Sequence, residues 1–158
     1  MMLSTLATPL PKSAISDRRI VHITRGRGHG DIVRLMSPSD LGERLKPFVF
    51  LDLFHINGQT MGGMPVHPHS GIATVTVLVE GDLRYDDPEQ GQGTIAYGAV
   101  EWMRAGGGVW HGQELSRGES SQVRGFQLWI ALPPELENGP VETAISKRRR
   151  CRRLDPPR

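Results

Sequence analysis

The sequence predicts an all-β fold, a single domain built as a sandwich, jelly roll or barrel. Three observations carry that expectation. Short runs rich in Val, Ile, Thr and aromatic residues recur about eight to ten times at regular spacing. Turn-forming residues separate them, with 19 glycines and 12 prolines in 158 residues. No stretch sustains helical spacing of its apolar positions. The length matches one domain of roughly 100–150 residues, enough to bury a core without covalent staples.

Taken in order, residues 1–18 read as a flexible lead-in. Arg19-Ile20-Val21-His22-Ile23 and Ile32-Val33-Arg34-Leu35 flank the glycine-rich Gly26–Gly30 and read as two strands joined by a turn. Ser39–Lys46 is expected to form one helical turn, stopped by Pro47. Phe48–Phe54 is a continuous apolar run, which predicts a strand buried on both faces. A Gly- and Met-containing loop, 57–65, follows. Thr74–Val79 is the strongest strand pattern, and Leu83–Tyr85 is expected to pair with it as a hairpin across Glu80-Gly81-Asp82. Thr94–Tyr97, Val100–Met103, Val109–His111 and Phe126–Leu132 complete the strands, with Gly106-Gly107-Gly108 before the third of these. Pro133-Pro134 ends the pattern. The folded domain is therefore placed at residues 19–137, with 138–158 a basic, disordered tail.

Charge divides the same way. Of 19 basic and 17 acidic residues, seven basic and one acidic lie between Lys147 and Arg158. The remaining 12 basic and 16 acidic residues make the body mildly acidic. That argues against a specific nucleic-acid surface on the fold, which needs its cations on the body. One cysteine, Cys151, excludes an internal disulfide and a cysteine-based zinc site, and favours a reducing, cytoplasmic setting. No apolar run approaches the ~20 residues that span a bilayer, and the first residues lack the pattern of a secretory signal, so no membrane association is expected.

Three of the six histidines stand out. His67 and His69 are two apart, so on a strand both point to one face, and His111 sits on a later strand. Inside a small barrel the three can converge. Neutral imidazoles with open positions beside them suit Fe(II), Mn(II), Cu(II), Ni(II) or Zn(II). The bland reading is that one His-x-His pair arises readily by chance among six histidines. His22, His29 and His55 have no spaced partner and read as structural or surface residues.

Three segments resemble the pirins, a branch of the cupin superfamily. They are His67-Pro68-His69-Ser70-Gly71-Ile72-Ala73-Thr74-Val75-Thr76 with Leu78-Val79-Glu80-Gly81, then Val100–His111, then Gly125–Pro133. The resemblance runs in order from about residue 20 to 137 and implies a cupin-type β-barrel. Pirins have two such barrels, with a metal in the N-terminal one held by His-x-His, a third His and a Glu. The resemblance assigns the three histidine roles to His67, His69 and His111, with Fe(II) the expected metal. The fourth position departs from the pattern. The family reads His-x-Glu, whereas this chain reads His111-Gly112-Gln113-Glu114. Gln113 matches in place and Glu114 in chemistry, but Glu114 points to the other face unless a bulge shifts it. Either the site is three histidines with water or Gln113 in fourth place, or Glu114 reaches in. Ala73 is a second departure, where family members often carry Glu.

What the resemblance implies for function is a quercetinase-type dioxygenase opening the ring of a flavonol-like substrate. A carboxylate near the metal would take the substrate proton, so Gln113 or Glu114 carries that role here. The alternative is a non-catalytic regulatory protein, a transcription cofactor or partner of a metabolic enzyme, with or without metal. The chain accounts for one barrel where pirins have two, so a homodimer is expected to cover the remaining surface. Trp102, Trp110 and Trp129 could stack on a flavonoid, although core or rim packing is the commoner use. Arg25, Arg27 and Arg34 could take an anion but fit a solvated face as well. The arginine-rich tail fits non-specific polyanion contact.

Overall fold

The computed structural model describes residues 19–57, 65–87, 91–112 and 115–146. Twelve strands and one helical turn are described: β1 (Arg27–His29), β2 (Ile32–Met36), β3 (Phe48–Asn57), β4 (His67–His69), β5 (Ile72–Glu80), β6 (Asp82–Asp87), β7 (Gly91–Ala96), β8 (Val100–Arg104), β9 (Val109–His111), β10 (Leu115–Arg117), β11 (Gln122–Ala131), α1 (Pro134–Glu137) and β12 (Glu142–Ser146). They form a seven-stranded sheet in the order β1-β2-β3-β11-β5-β8-β12, a three-stranded sheet β10-β6-β7, and the two-stranded ribbon β4-β9. Every described pairing is antiparallel. The all-β, cupin-type fold expected from the sequence is the fold observed.

The core lies between the two larger sheets. Leu78 and Val123 from the first meet Leu83 and Ile95 from the second, all nearly inaccessible, with Ala99 beside them and Phe54, Tyr85, Leu115 and Ile145 packed around. Residues directly opposite in an antiparallel pair share a face, so the register reads out the interior row by row. At the apolar end Phe54 and Leu78 flank Gly125. One row on, Asp52 and Thr76 flank Gln127, and beyond that Phe50 and Thr74 flank Trp129. The interior thus changes from apolar to polar and aromatic along the strands.

Five sequence expectations are corrected. The segment 19–26 is not a strand, and Ile20, Val21 and Ile23 are exposed. The hairpin forms one step later, with Arg27–His29 pairing to Ile32–Arg34 across Gly30 and Asp31, because a turn needs only those two residues. Phe48–Phe54 is a strand, but only Asp52 in it is buried and the other residues are half-buried or exposed, so the sheet is not covered on both faces there. Leu83–Tyr85 does not pair with Thr74–Val79. Instead β5 passes through Gly81 into the other sheet, where β6 pairs with β7 and β10. Gly81 has φ +76°, and a Cβ there would stand 2.2 Å from the Gln122 carbonyl oxygen, so the corner admits glycine alone without strain. Finally, the sheet continues past residue 137. β12 pairs along the whole of β8, from Glu142 opposite Arg104 to Ser146 opposite Val100. The arginine-rich run and Cys151 lie outside the described residues.

Segment 39–46 is a run of turns closed by Leu45 N–H donating to the Leu41 carbonyl at 3.0 Å. No helix among the described residues is long and apolar enough to cross a membrane.

Candidate metal centre

The β4-β9 ribbon sets His67 directly opposite His111 and His69 opposite Val109. His67 and His69 share a face by alternation, and His111 shares it by pairing. The outcome is a three-imidazole cluster whose available ring nitrogens all lie within 4.8 Å of one another. Ring centroids are 4.8 Å apart for His67 and His69, 4.7 Å for His67 and His111, and 5.0 Å for His69 and His111. His69 and His111 are buried and His67 is half-buried.

The glycine run before β9 makes this pairing reachable. Gly106 has φ +53°, its carbonyl accepts from the Gly71 N–H at 2.8 Å, and a Cβ there would stand 2.1 Å from the Gly139 carbonyl oxygen. Gly107 N–H donates to that same Gly139 carbonyl at 3.0 Å. The loop is thereby pinned both to the turn after β4 and to the segment after α1. That holds β9 in register with β4.

Protonation favours metal binding. His67 Nδ1 lies 2.8 Å from the Pro65 carbonyl oxygen. A carbonyl only accepts, so Nδ1 carries the proton and Nε2 presents its lone pair. Burial first, then the neighbouring His111 and His67, push the His69 pKa from 6.5 down to about 4, so His69 is neutral at physiological pH. The buried Nε2 of His111 makes no hydrogen bond among the described residues. Three imidazoles whose ligand nitrogens lie within 4.8 Å of one another fit a divalent cation of the borderline series. Beside them, the Trp129 ring meets His69 at 4.8 Å and 90°.

The structure brings together His67, His69 and His111, as the spacing predicts. Gln113 and Glu114 lie outside the described residues, which end on this side at Gly112. His22, His29 and His55 stand apart from the cluster. The tryptophans separate: Trp129 borders the site, Trp110 is 70% exposed opposite Pro68, and Trp102 lines an outer groove with Pro47, Ile130 and Leu136. Ala73 is fully buried on the strand face opposite Thr74, so that departure falls away from the interior row.

Sequence reading missed Phe50, Gln127 and the Arg34–Asp52 pair. Arg34 is no free anion receptor: its Nε and Nη2 donate to the two Asp52 carboxylate oxygens, each at 2.9 Å, and its guanidinium lies 4.6 Å from the Phe50 ring centre. A cavity of about 570 Å³ beside it is lined by Arg27 as well as Asp40, so its charge is balanced. Phe50 and Asp52 fall in a run that reads as apolar on both faces, so no local pattern marked them out. What the sequence lacked was the register that aligns their faces across β3, β11 and β5.

Comparisons with known proteins agree with the fold. A family model described as Pirin matches residues 31–130. A pirin-like protein of Caulobacter vibrioides is 36% identical over 128 residues, covering 76% of this chain and 45% of that protein. A Pseudomonas aeruginosa protein provisionally named quercetin 2,3-dioxygenase is 38% identical over 101 residues, covering 63% and 35%. The crystal structure of a quercetin 2,3-dioxygenase from Acinetobacter baumannii superposes with a TM-score of 0.62 at 32% identity, covering 73% of this chain and 43% of that one. The chain spans less than half the length of the curated relatives it matches.

Proposed function

The chain belongs to the pirin family, and we propose that it is a metal-dependent dioxygenase of the quercetinase type, binding one divalent metal through His67, His69 and His111. The observation that carries this is the three-imidazole cluster, with ligand nitrogens within 4.8 Å of one another. Fe(II) is the metal of this reading, as the pirin resemblance implies, and the three-histidine donor set accommodates it. Mn(II), Ni(II), Cu(II) and Zn(II) fit the same donors. The substrate is a flavonol-like aromatic, and a cytoplasmic setting accords with the single cysteine. A homodimer belongs to the same reading, supported by the exposed apolar residues Ile20, Val21, Ile23 and Trp110.

When bound, the metal supplies Lewis-acid activation of the substrate oxygen and electrons for reaction with dioxygen. The chain supplies position and proton handling. His67 is fixed in the tautomer that offers Nε2. Trp129 and Phe50, 5.0 Å apart at 63°, give an aromatic border beside His69 against which a planar ring can pack. The base that takes the substrate hydroxyl proton is assigned to the pair after His111. Glu114 can accept that proton, whereas Gln113 can only donate and accept hydrogen bonds. Replacement tells them apart: Glu114→Gln is expected to slow turnover about 10²-fold or more if Glu114 is the base, with Gln113→Ala affecting metal affinity instead.

The test is oxygen uptake with quercetin after loading with Fe(II). Uptake that depends on metal and on His111 is expected. A flat trace from metal-loaded protein at high concentration would overturn the enzymatic reading and leave the non-catalytic, regulatory one.

A further inference from the structure

His67 takes its orientation from a backbone carbonyl, and His69 meets a different kind of support. The indole ring of Trp129 stands against it at 4.8 Å, edge to face at 90°. That indole is itself held by two contacts besides His69. Its Nε1–H donates to Gln127 Oε1 at 3.1 Å, two residues along the same face of β11. Because indole nitrogen only donates, the Gln127 amide must turn its oxygen to Trp129, which leaves Nε2 towards Thr76 Oγ1 at 3.5 Å. Phe50 packs against the indole at 5.0 Å, backed by the Arg34 guanidinium that Asp52 anchors. Thr76 and Asp52 are both buried, so this chain of contacts is rooted in the sheet.

We propose that Trp129 is a positioning residue for the metal centre: clamped by Gln127, it holds the His69 imidazole at the angle where its nitrogen converges with those of His67 and His111. This rests on the metal-binding reading above. A ring held from its side keeps one orientation without a hydrogen bond to a carboxylate or carbonyl, the usual outer support of a metal-bound histidine. The indole also keeps water from one flank of His69. The role differs from core filling because it acts on ligand geometry, whereas the apolar core lies at the other end of the interior, around Leu78 and Val123.

The experiment is titration of the full chain with Co(II) alone, read by its visible absorption bands, which report coordination geometry. Trp129→Leu is expected to weaken Co(II) binding about ten-fold or more and to change the bands. Trp129→Phe keeps a ring beside His69 and is expected to restore most of both. Gln127→Leu frees the indole and is expected to fall between them. Val123→Ala, at the apolar end, is expected to lower thermal stability with affinity and spectrum unchanged. If Trp129→Leu does not fold, Trp102→Phe/Trp110→Phe leaves Trp129 as the sole tryptophan, and Co(II) is expected to quench its emission stoichiometrically. Wild-type affinity and spectrum in Trp129→Leu or in Gln127→Leu, or unquenched emission with Co(II) bound, overturns the positioning role alone. A wild-type chain that binds no Co(II) overturns the metal-binding reading with it.

Discussion

At the scale of single residues, His69 carries a pH dependence whose sign is fixed. Its pKa in the folded protein, about 4, lies below the unfolded value of 6.5, because burial and two neighbouring imidazoles disfavour its cation. Between those two values the unfolded chain holds a proton that the folded chain does not. Stability of the metal-free protein therefore falls as pH drops from about 6.5 to about 4, and this group leaves it unchanged above that window. Melting temperatures of chelator-treated protein across pH 4–7.5 measure it, and His69→Gln is expected to flatten the slope. A second residue-scale effect is the Arg34–Asp52 pair. The Asp52 side chain is 9% exposed and that of Arg34 44%, so water can partly repair the arginine once its partner is gone. Asp52→Ala is expected to cost about 1–3 kcal/mol in urea unfolding, below the loss for a fully buried pair.

Among the elements, the ribbon β4-β9 brings the three histidines together, and the glycine loop before β9 fixes the ribbon. Gly106→Ala puts a methyl group 2.1 Å from the Gly139 carbonyl, where only backbone movement relieves it. Metal affinity and stability are expected to fall together in that variant. Gly125→Ala brings a methyl 2.3 Å from Phe54 Cζ and 2.7 Å from the Val77 carbonyl at the apolar end, and is expected to cost about 1–3 kcal/mol with affinity retained. Parallel chelator titrations and melting curves separate the two cases. The same elements explain what was legible in the sequence. The ligand histidines were, because two-residue alternation and a turn-rich approach to His111 are local signals. The pairing of β5 was not: local pattern favoured a hairpin to Leu83–Tyr85, while its actual partners β8 and β11 lie 20 to 60 residues on in sequence. β12 was missed because Glu142–Ser146 has only one strongly apolar residue, Ile145, and borrows its strand character from β8.

For the whole molecule, the acidic body and basic terminal run describe different things. The sequence pI near 9.0 follows from the run beyond Lys147, whereas the site belongs to a body with 12 basic and 16 acidic residues. Exposed apolar residues on the body, Ile20, Val21 and Ile23 before β1 and Trp110 behind the ligand strand, are the surface that self-association would cover. Light scattering at micromolar protein is expected to give twice the 17.5 kDa chain mass, and a monomeric mass would exclude the dimer. The measurement that bears most directly on the centre itself is metal content after Fe(II) loading and desalting under anaerobic conditions, for wild type, His67→Ala and His111→Ala. One metal per wild-type chain and loss in both variants is the expected result. A wild-type chain without metal, or variants that keep it in full, would contradict a centre built on His67, His69 and His111.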